Sequence, residues 1–253
     1  HIHIERGPYT KEWISRFADQ AVKAGLDEIW LLEHSFRFRE FAPMYEPVCA
    51  YNDYQKNWYL SRVGPSIGEY QALISEMRKQ QFPVRIRWGL EICYLPGYES
   101  LIREQLRAFP YDFAVGSIHW VEGFGFDHKA EFWEGKDPEA LYRSYYALML
   151  QMVKTGLFSG VAHSDSIKCF HHYPTGDFSA VYRELADELN ARGMYAEQSG
   201  GLALNYGFEE RGMNRTMLDI FRSRNVAIRF ASDAHRPEDV GANIAEMQSA
   251  LLV

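Results

Sequence analysis

A carboxylate and an imidazole two positions apart close the last apolar run of this sequence: Val226 to Ala231 leads into Ser232-Asp233-Ala234-His235. In an extended segment Asp233 and His235 face the same way, and that pairing suits a divalent metal. A helix N-cap at Asp233 beside a solvated histidine explains the pair equally well when it is taken alone. The recurrence of the pattern changes that balance. His1, His3, His34, His119, His163 and His235 all lie in or just past short apolar runs of strand character, and Glu91, Asp165, Glu197 and Asp233 add carboxylates in the same register. Imidazole and carboxylate donors without cysteine point to zinc, manganese or iron. The donors outnumber one tetrahedral shell, so about two or three metal ions are expected.

Other chemistries find less support. There is no GxSxG nucleophile elbow and no GxxxxGK[ST] phosphate loop. Ser199-Gly200-Gly201 reads as a turn or as a phosphate contact. His171-His172 reads as loop residues or substrate contacts, and His128 as a surface histidine. Cys49, Cys93 and Cys169 are scattered and lack CxxC spacing. Neither a disulfide framework nor a cysteine metal site is expected, and a reducing, cytoplasmic compartment is.

The elements that must position these donors alternate along the chain. Ile2 and Ile4 alternate with polar neighbours as in a strand. Thr10 can cap a helix carrying Trp13, Ile14, Phe17 and Ala21 at helical spacing, with Gly25 as its stop. Strands are expected at Glu28–Leu32, Val84–Cys93, Phe113–Ile118, Phe158–Ala162, Met194–Gln198 and Val226–Ala231. Helices are expected around Ile67–Met77, Glu99–Ala108, Asp137–Thr155, Phe178–Arg192, Thr216–Arg224 and Pro237–Leu252. About 35–64 has no clean period and is rich in aromatics, as a functional lid or a small packed subdomain would be. Seven strands alternating with helices predict a parallel sheet. A closed or nearly closed barrel suits 253 residues without an evident domain boundary, so residues 1–253 are expected to form one domain. A doubly wound open sheet is the alternative.

The motifs also carry a family resemblance. His1-x-His3, His34 after Glu33, Glu91 in GLE, His119 in GSIH, His163 in HSD and SDAH at 232–235 resemble the motif series of the polymerase and histidinol phosphatase (PHP) family. The ending SDAHRPEDVG, with GSIH upstream, is most similar to its histidinol-phosphatase branch. The resemblance implies an α/β fold, a distorted seven-stranded (β/α)7 barrel, with a trinuclear metal site. His1, His3, Glu91 and Asp233 would hold one metal. Glu91 would bridge to a second, held also by His119 and His163, and His34 and His235 would hold a third. The family usually places another His or Asp shortly after the HxH motif. Here Ile4-Glu5-Arg6-Gly7-Pro8-Tyr9 offers neither, so either Glu5 is the substitute or the third site is a weak one.

The implied reaction is hydrolysis of a small phosphomonoester, L-histidinol phosphate above others, by a metal-activated hydroxide, with Glu91, Asp233 and His235 at its centre. Lys168, Arg236 and Arg37 are the cations expected at the phosphate. Another family phosphoesterase acting on nucleotide or sugar phosphates, or a non-catalytic metal-binding module, is the alternative. The formal charge of -7, with no basic cluster, argues against nucleic acid. No apolar run approaches a membrane span. A small molecule is therefore the expected partner.

Overall fold

The computed structural model describes residues 1–251. Its elements are β1 (Ile2–His3), α1 (Lys11–Lys23), β2 (Glu28–His34), α2 (Glu46–Tyr51), α3 (Asp53–Leu60), α4 (Ile67–Met77), β3 (Arg85–Cys93), α5 (Glu99–Arg107), β4 (Phe113–Ser117), β5 (Trp120–Val121), β6 (Phe124–Gly125), α6 (Pro138–Lys154), β7 (Gly160–Val161), α7 (Ser179–Ala191), β8 (Tyr195–Ser199), α8 (Gly201–Tyr206), α9 (Arg215–Ser223), β9 (Ala227–Ala231) and α10 (Ile244–Ala250). Among the described residues, seven strands form one parallel sheet in the order β1-β2-β3-β4-β7-β8-β9. A single bridge, Ile2 to Ala234, links the two edges. It is supported by His3 N–H donating to Ala234 O at 2.8 Å. The result is the expected α/β barrel, distorted because its last seam is a bridge rather than a full ladder.

Local chemistry explains the helix starts. The Thr10 side chain accepts from Trp13 N–H. Ser66 and Glu69 form a reciprocal capping box at α4, and Asp137 caps α6 ahead of Pro138. Each satisfies backbone donors that the first turn leaves free. The apolar stripe of α1, Ile14, Phe17, Ala18 and Ala21, is wholly buried against the barrel. The centre of the sheet is apolar on both faces, as crossover helices require: β3 is buried from Trp88 to Cys93.

Four segments depart from expectation. The aromatic stretch folds as two 3-10 turns followed by α2 and α3, and it buries Phe36, Phe38, Phe41, Tyr45 and Tyr59. It is the packed subdomain of the two options. The fifth strand shrinks to Gly160–Val161. A small antiparallel hairpin, β5–β6, follows β4 and turns through Glu122 and Gly123, both at positive φ as a two-residue hairpin turn requires. The last helix begins at Ile244 and not Pro237, because Gly241 and Asn243 adopt the left-handed conformation and interrupt it. Its expected last residue, Leu252, lies outside the described residues.

Candidate metal centre

In a parallel barrel every strand delivers its C-terminal end to one face, and the donors collect there. β2 ends in His34, β3 carries Glu91 opposite it in register, and β8 carries Glu197. His119, His163 and Asp233 each follow their strands by two residues. His163 and Asp233 have φ values of 31° and 54°. Such conformations cost free energy in a non-glycine residue and persist where the surroundings fix the side chain.

Glu91 is at the middle of the cluster and wholly buried. Its Oε1 lies 3.1 Å from His119 Nε2 and 3.2 Å from His163 Nε2. Its Oε2 lies 3.2 Å from His3 Nε2, 3.5 Å from His1 Nε2 and 3.9 Å from His34 Nε2. Asp233 Oδ1 lies 3.0 Å from His1 Nε2 and 3.2 Å from His3 Nε2. The rings of His34, His3 and His235 stack nearly parallel, with His3 centred 3.9 Å from His34 and 4.2 Å from His235. Glu5 joins them: its Oε2 is 3.1 Å from His34 Nδ1 and its Oε1 is 3.9 Å from His235 Nε2.

This donor set fits divalent cations. His3 Nε2 and Glu91 Oε2 are buried without any hydrogen-bond partner, an arrangement that costs free energy unless a cation satisfies the lone pairs. Three groups of donor atoms converge within 4.8 Å of one another: His1, His3 and Asp233; His34, Glu91 and His119; and His3, His34 and His235. Burial alone would push Glu91 up. The imidazoles of His34 and His163 outweigh it and hold the carboxyl well below its usual range. Asp233 is held low in the same way by His1, and Glu5 by His34. Burial pulls His34 and His235 down toward the neutral form, whereas at His1 it is outweighed by Glu197 and Asp233 and at His119 by Cys93 and Asp127, which hold both rings well above the usual range, so a cation there would have to displace their protons. Ionised carboxylates and neutral imidazoles are the protonation states that bind metal.

Two carboxylates behind the cluster fix ring orientation. Glu197 Oε2 is 2.7 Å from His1 Nδ1, and Asp127 Oδ2 is 2.7 Å from His119 Nδ1. Each is placed to accept a hydrogen bond from Nδ1–H and leaves Nε2 to face the site. Asp127 carries no periodic signal in the sequence. The β5–β6 hairpin, which the sequence also conceals, brings it beside His119.

Of the expected phosphate cations, Arg37 lies at this face, its Nη1 3.6 Å from Glu5 Oε2, whereas Lys168 does not line the cleft. Lys168 is buried on the far side of its turn, 2.9 Å from Asp165 Oδ2 and 2.8 Å from Gly212 O, and it also pairs with Glu210. Asp165 accepts from Tyr146 Oη, Asn214 N–H and Asn214 Nδ2 and hydrogen-bonds to no histidine. Arg37 donates to Glu5 O and lies against Glu33, whose carboxyl is pushed up to about 8 by burial. Arg236 is exposed beside the site. The cations that do line the cleft, a cavity of about 430 Å³, are Arg6 and Arg62. His128, read as a surface residue, lines the same cleft. His171 and His172 stack on Phe208 and Trp133 outside it. Gly201 packs against Asp233 so closely that a Cβ there would lie 2.0 Å from Asp233 Oδ2.

The distorted barrel and its buried cluster of imidazoles and carboxylates define a metal-ligating α/β barrel protein. Residues 1–199 match the model of the PHP domain, and the chain belongs to that family. It is 29% identical to a protein of Deinococcus radiodurans named "Probable histidinol-phosphatase", over 97% of this chain and 89% of that one. A crystal structure from Listeria monocytogenes superposes with a TM-score of 0.73 at 16% identity, covering 97% of this chain and 98% of the other. The histidinol phosphate phosphatase of Lactococcus lactis, in complex with zinc, L-histidinol and phosphate, superposes with a TM-score of 0.65 at 17% identity, covering 99% and 92%.

Proposed function

We propose that this protein is a metal-dependent phosphomonoesterase whose substrate is L-histidinol phosphate and whose site holds about two or three divalent ions, zinc, manganese or iron. The observation that carries the reading is the split environment of Glu91, with Oε1 facing His119 and His163 and Oε2 facing His1 and His3. A carboxylate so placed would be shared by two cation sites. His1, His3, Glu91 and Asp233 would hold one ion, Glu91, His119 and His163 a second, and Glu5, His34 and His235 a third. Bound ions supply Lewis-acid polarisation of the ester and a water acidified toward neutrality. The substrate assignment draws on the Deinococcus relative and the Lactococcus complex.

The protein's own groups have definite tasks in this reading. Glu197 and Asp127 keep the protons of His1 and His119 on Nδ1, so that both rings present Nε2 lone pairs. Arg6 and Arg62 give the cleft the positive charge that a phosphoryl group requires. The test is phosphate release from a panel of phosphomonoesters. L-histidinol phosphate should exceed simple alkyl phosphates in kcat/KM by at least about tenfold, roughly 1.4 kcal/mol of transition-state binding. Equal or better turnover of nucleoside phosphates would reassign the substrate within the family.

Glu5 replaces the family's usual His or Asp. Glu5→Ala should lower metal content by about one ion per chain and slow turnover by roughly 10- to 100-fold, the range expected when a metal's immediate surroundings are disturbed. Elemental analysis decides the point. Full metal content with normal turnover would remove Glu5 from the ligand set.

A further inference from the structure

The β5–β6 hairpin carries Asp127 to His119, yet it is too small to hold its own shape. Each of its strands has two residues, and an isolated hairpin is marginal in water even when longer. A side chain from another segment completes it. Gln55, in the first turn of α3, is wholly buried. Its Nε2 donates to Gly123 O at 2.7 Å and to Val48 O at 3.1 Å, and its Oε1 accepts from Gly125 N–H at 2.7 Å. A residue of a parallel neighbouring strand would make the same pair of bonds on either side of Phe124. The amide thus stands in for a third strand, and both of its N–H groups are used. Its own backbone is fixed in turn, because Gln55 N–H donates to Oδ1 of Asn52, the α3 N-cap, at 2.8 Å.

Gly125 does not have the positive φ that calls for glycine. The space calls for it instead: an added Cβ would lie 2.6 Å from His128 Cδ2 and 2.9 Å from Gln55 Oε1. Trp58, one turn further along α3, packs against His128 with ring centres 4.7 Å apart, so helix and hairpin meet at two successive contacts. Two residues past Gly125, Asp127 Oδ2 lies 2.7 Å from His119 Nδ1, and His119 Nε2 lies 3.1 Å from Glu91 Oε1. Packing alone does not explain an amide at position 55. An apolar side chain of the same size would fill the space but leave Gly125 N–H and Gly123 O buried and unpaired, at a cost in free energy. We infer that Gln55 is a positioning residue for the cation site of Glu91, His119 and His163: its amide holds the hairpin in register, the hairpin places Asp127, and Asp127 orients His119. The inference rests on the metal-binding reading of that site.

The test is a double-mutant cycle read on zinc affinity, by competition titration with a chelator. Gln55→Leu and Asp127→Ala should each weaken one zinc ion by about 10- to 100-fold, the range for losing a group that orients a metal ligand, while the ion at His1 and His3 keeps its affinity. Residues that act in series are not additive, so the double variant should bind zinc no more weakly than Asp127→Ala alone. Additive losses, or unchanged zinc affinity in Gln55→Leu, overturn the inference. If Gln55→Leu does not fold, Gly125→Ala carries the same cycle, because its Cβ presses on the Gln55 carbonyl and on His128. Hydrogen exchange in the metal-free protein separates the inference from the metal-binding reading. The His119 Nδ1–H, protected by Asp127, should exchange with water at least about tenfold faster in Gln55→Leu, as a locally opened hydrogen bond does. The His1 Nδ1–H beside Glu197 should not change. If the wild type binds no zinc, the metal-binding reading fails and this exchange decides alone: faster exchange keeps Gln55 as the residue that positions His119, and unchanged exchange overturns it.

Discussion

Glu91→Gln should cost about three orders of magnitude or more in turnover, roughly 4 kcal/mol at 1.36 kcal/mol per decade, and should lower metal content in the same protein. Both oxygens of Glu91 face imidazole nitrogens at 3.1–3.5 Å, on opposite sides. A glutamine keeps the shape but replaces one anionic oxygen with an NH2 group, which cannot ligate a cation. In the proposed two-site arrangement one site would therefore lose its shared ligand whichever way the amide turns, and both would lose negative charge. Metal analysis and steady-state kinetics on the same preparation read the result. Unchanged turnover with unchanged metal would mean that Glu91 bridges nothing.

Gly201→Ala should disable the site by a different route. The added Cβ would lie 2.0 Å from Asp233 Oδ2 and 2.9 Å from Asp233 Cβ. Asp233 cannot swing aside freely, because its Oδ1 is engaged by His1 and His3 and its backbone adopts a constrained positive φ. The expected outcome is at least about a hundredfold loss in kcat/KM with weakened metal binding, since ligand displacements of about an ångström cost that much. Helix propensity runs the other way, favouring Ala over Gly in α8 by up to about 1 kcal/mol. The loss should therefore appear in metal titration before it appears in thermal stability. Normal metal affinity and turnover in Gly201→Ala would show that the Asp233 position is not critical.

The barrel was legible in the sequence because buried parallel strands are short apolar runs with clear bounds, and because donors at their C-terminal ends repeat. His34, Glu91, His119, His163 and Asp233 each stand at or just past the end of such a run. Glu5 was legible as the one carboxylate sharing a face with His1 and His3. The second set of groups was not. Asp127 reaches His119 through the β5–β6 hairpin, two strands of two residues each, too short for any periodicity to register. His128 and Trp58 meet across 70 residues of chain, with Gln55 joining their segments, and no local pattern encodes such a meeting. The placement of Lys168 was not legible for a related reason. Lys168 follows a strand end, but its turn sends it inward to Asp165 and Gly212, whereas Arg62 reaches the cleft from the packed aromatic subdomain.

The barrel's sequence signals thus end at the histidine–carboxylate cluster, which in the proposed function performs the reaction with bound ions. The most direct measurement is elemental analysis of protein purified without chelator, paired with L-histidinol phosphate hydrolysis before and after chelation. About two or three divalent ions per chain, the number the ligand count supports, with activity lost on their removal and recovered on their return, is the predicted result. A metal-free protein that hydrolyses the ester at the full rate would contradict it.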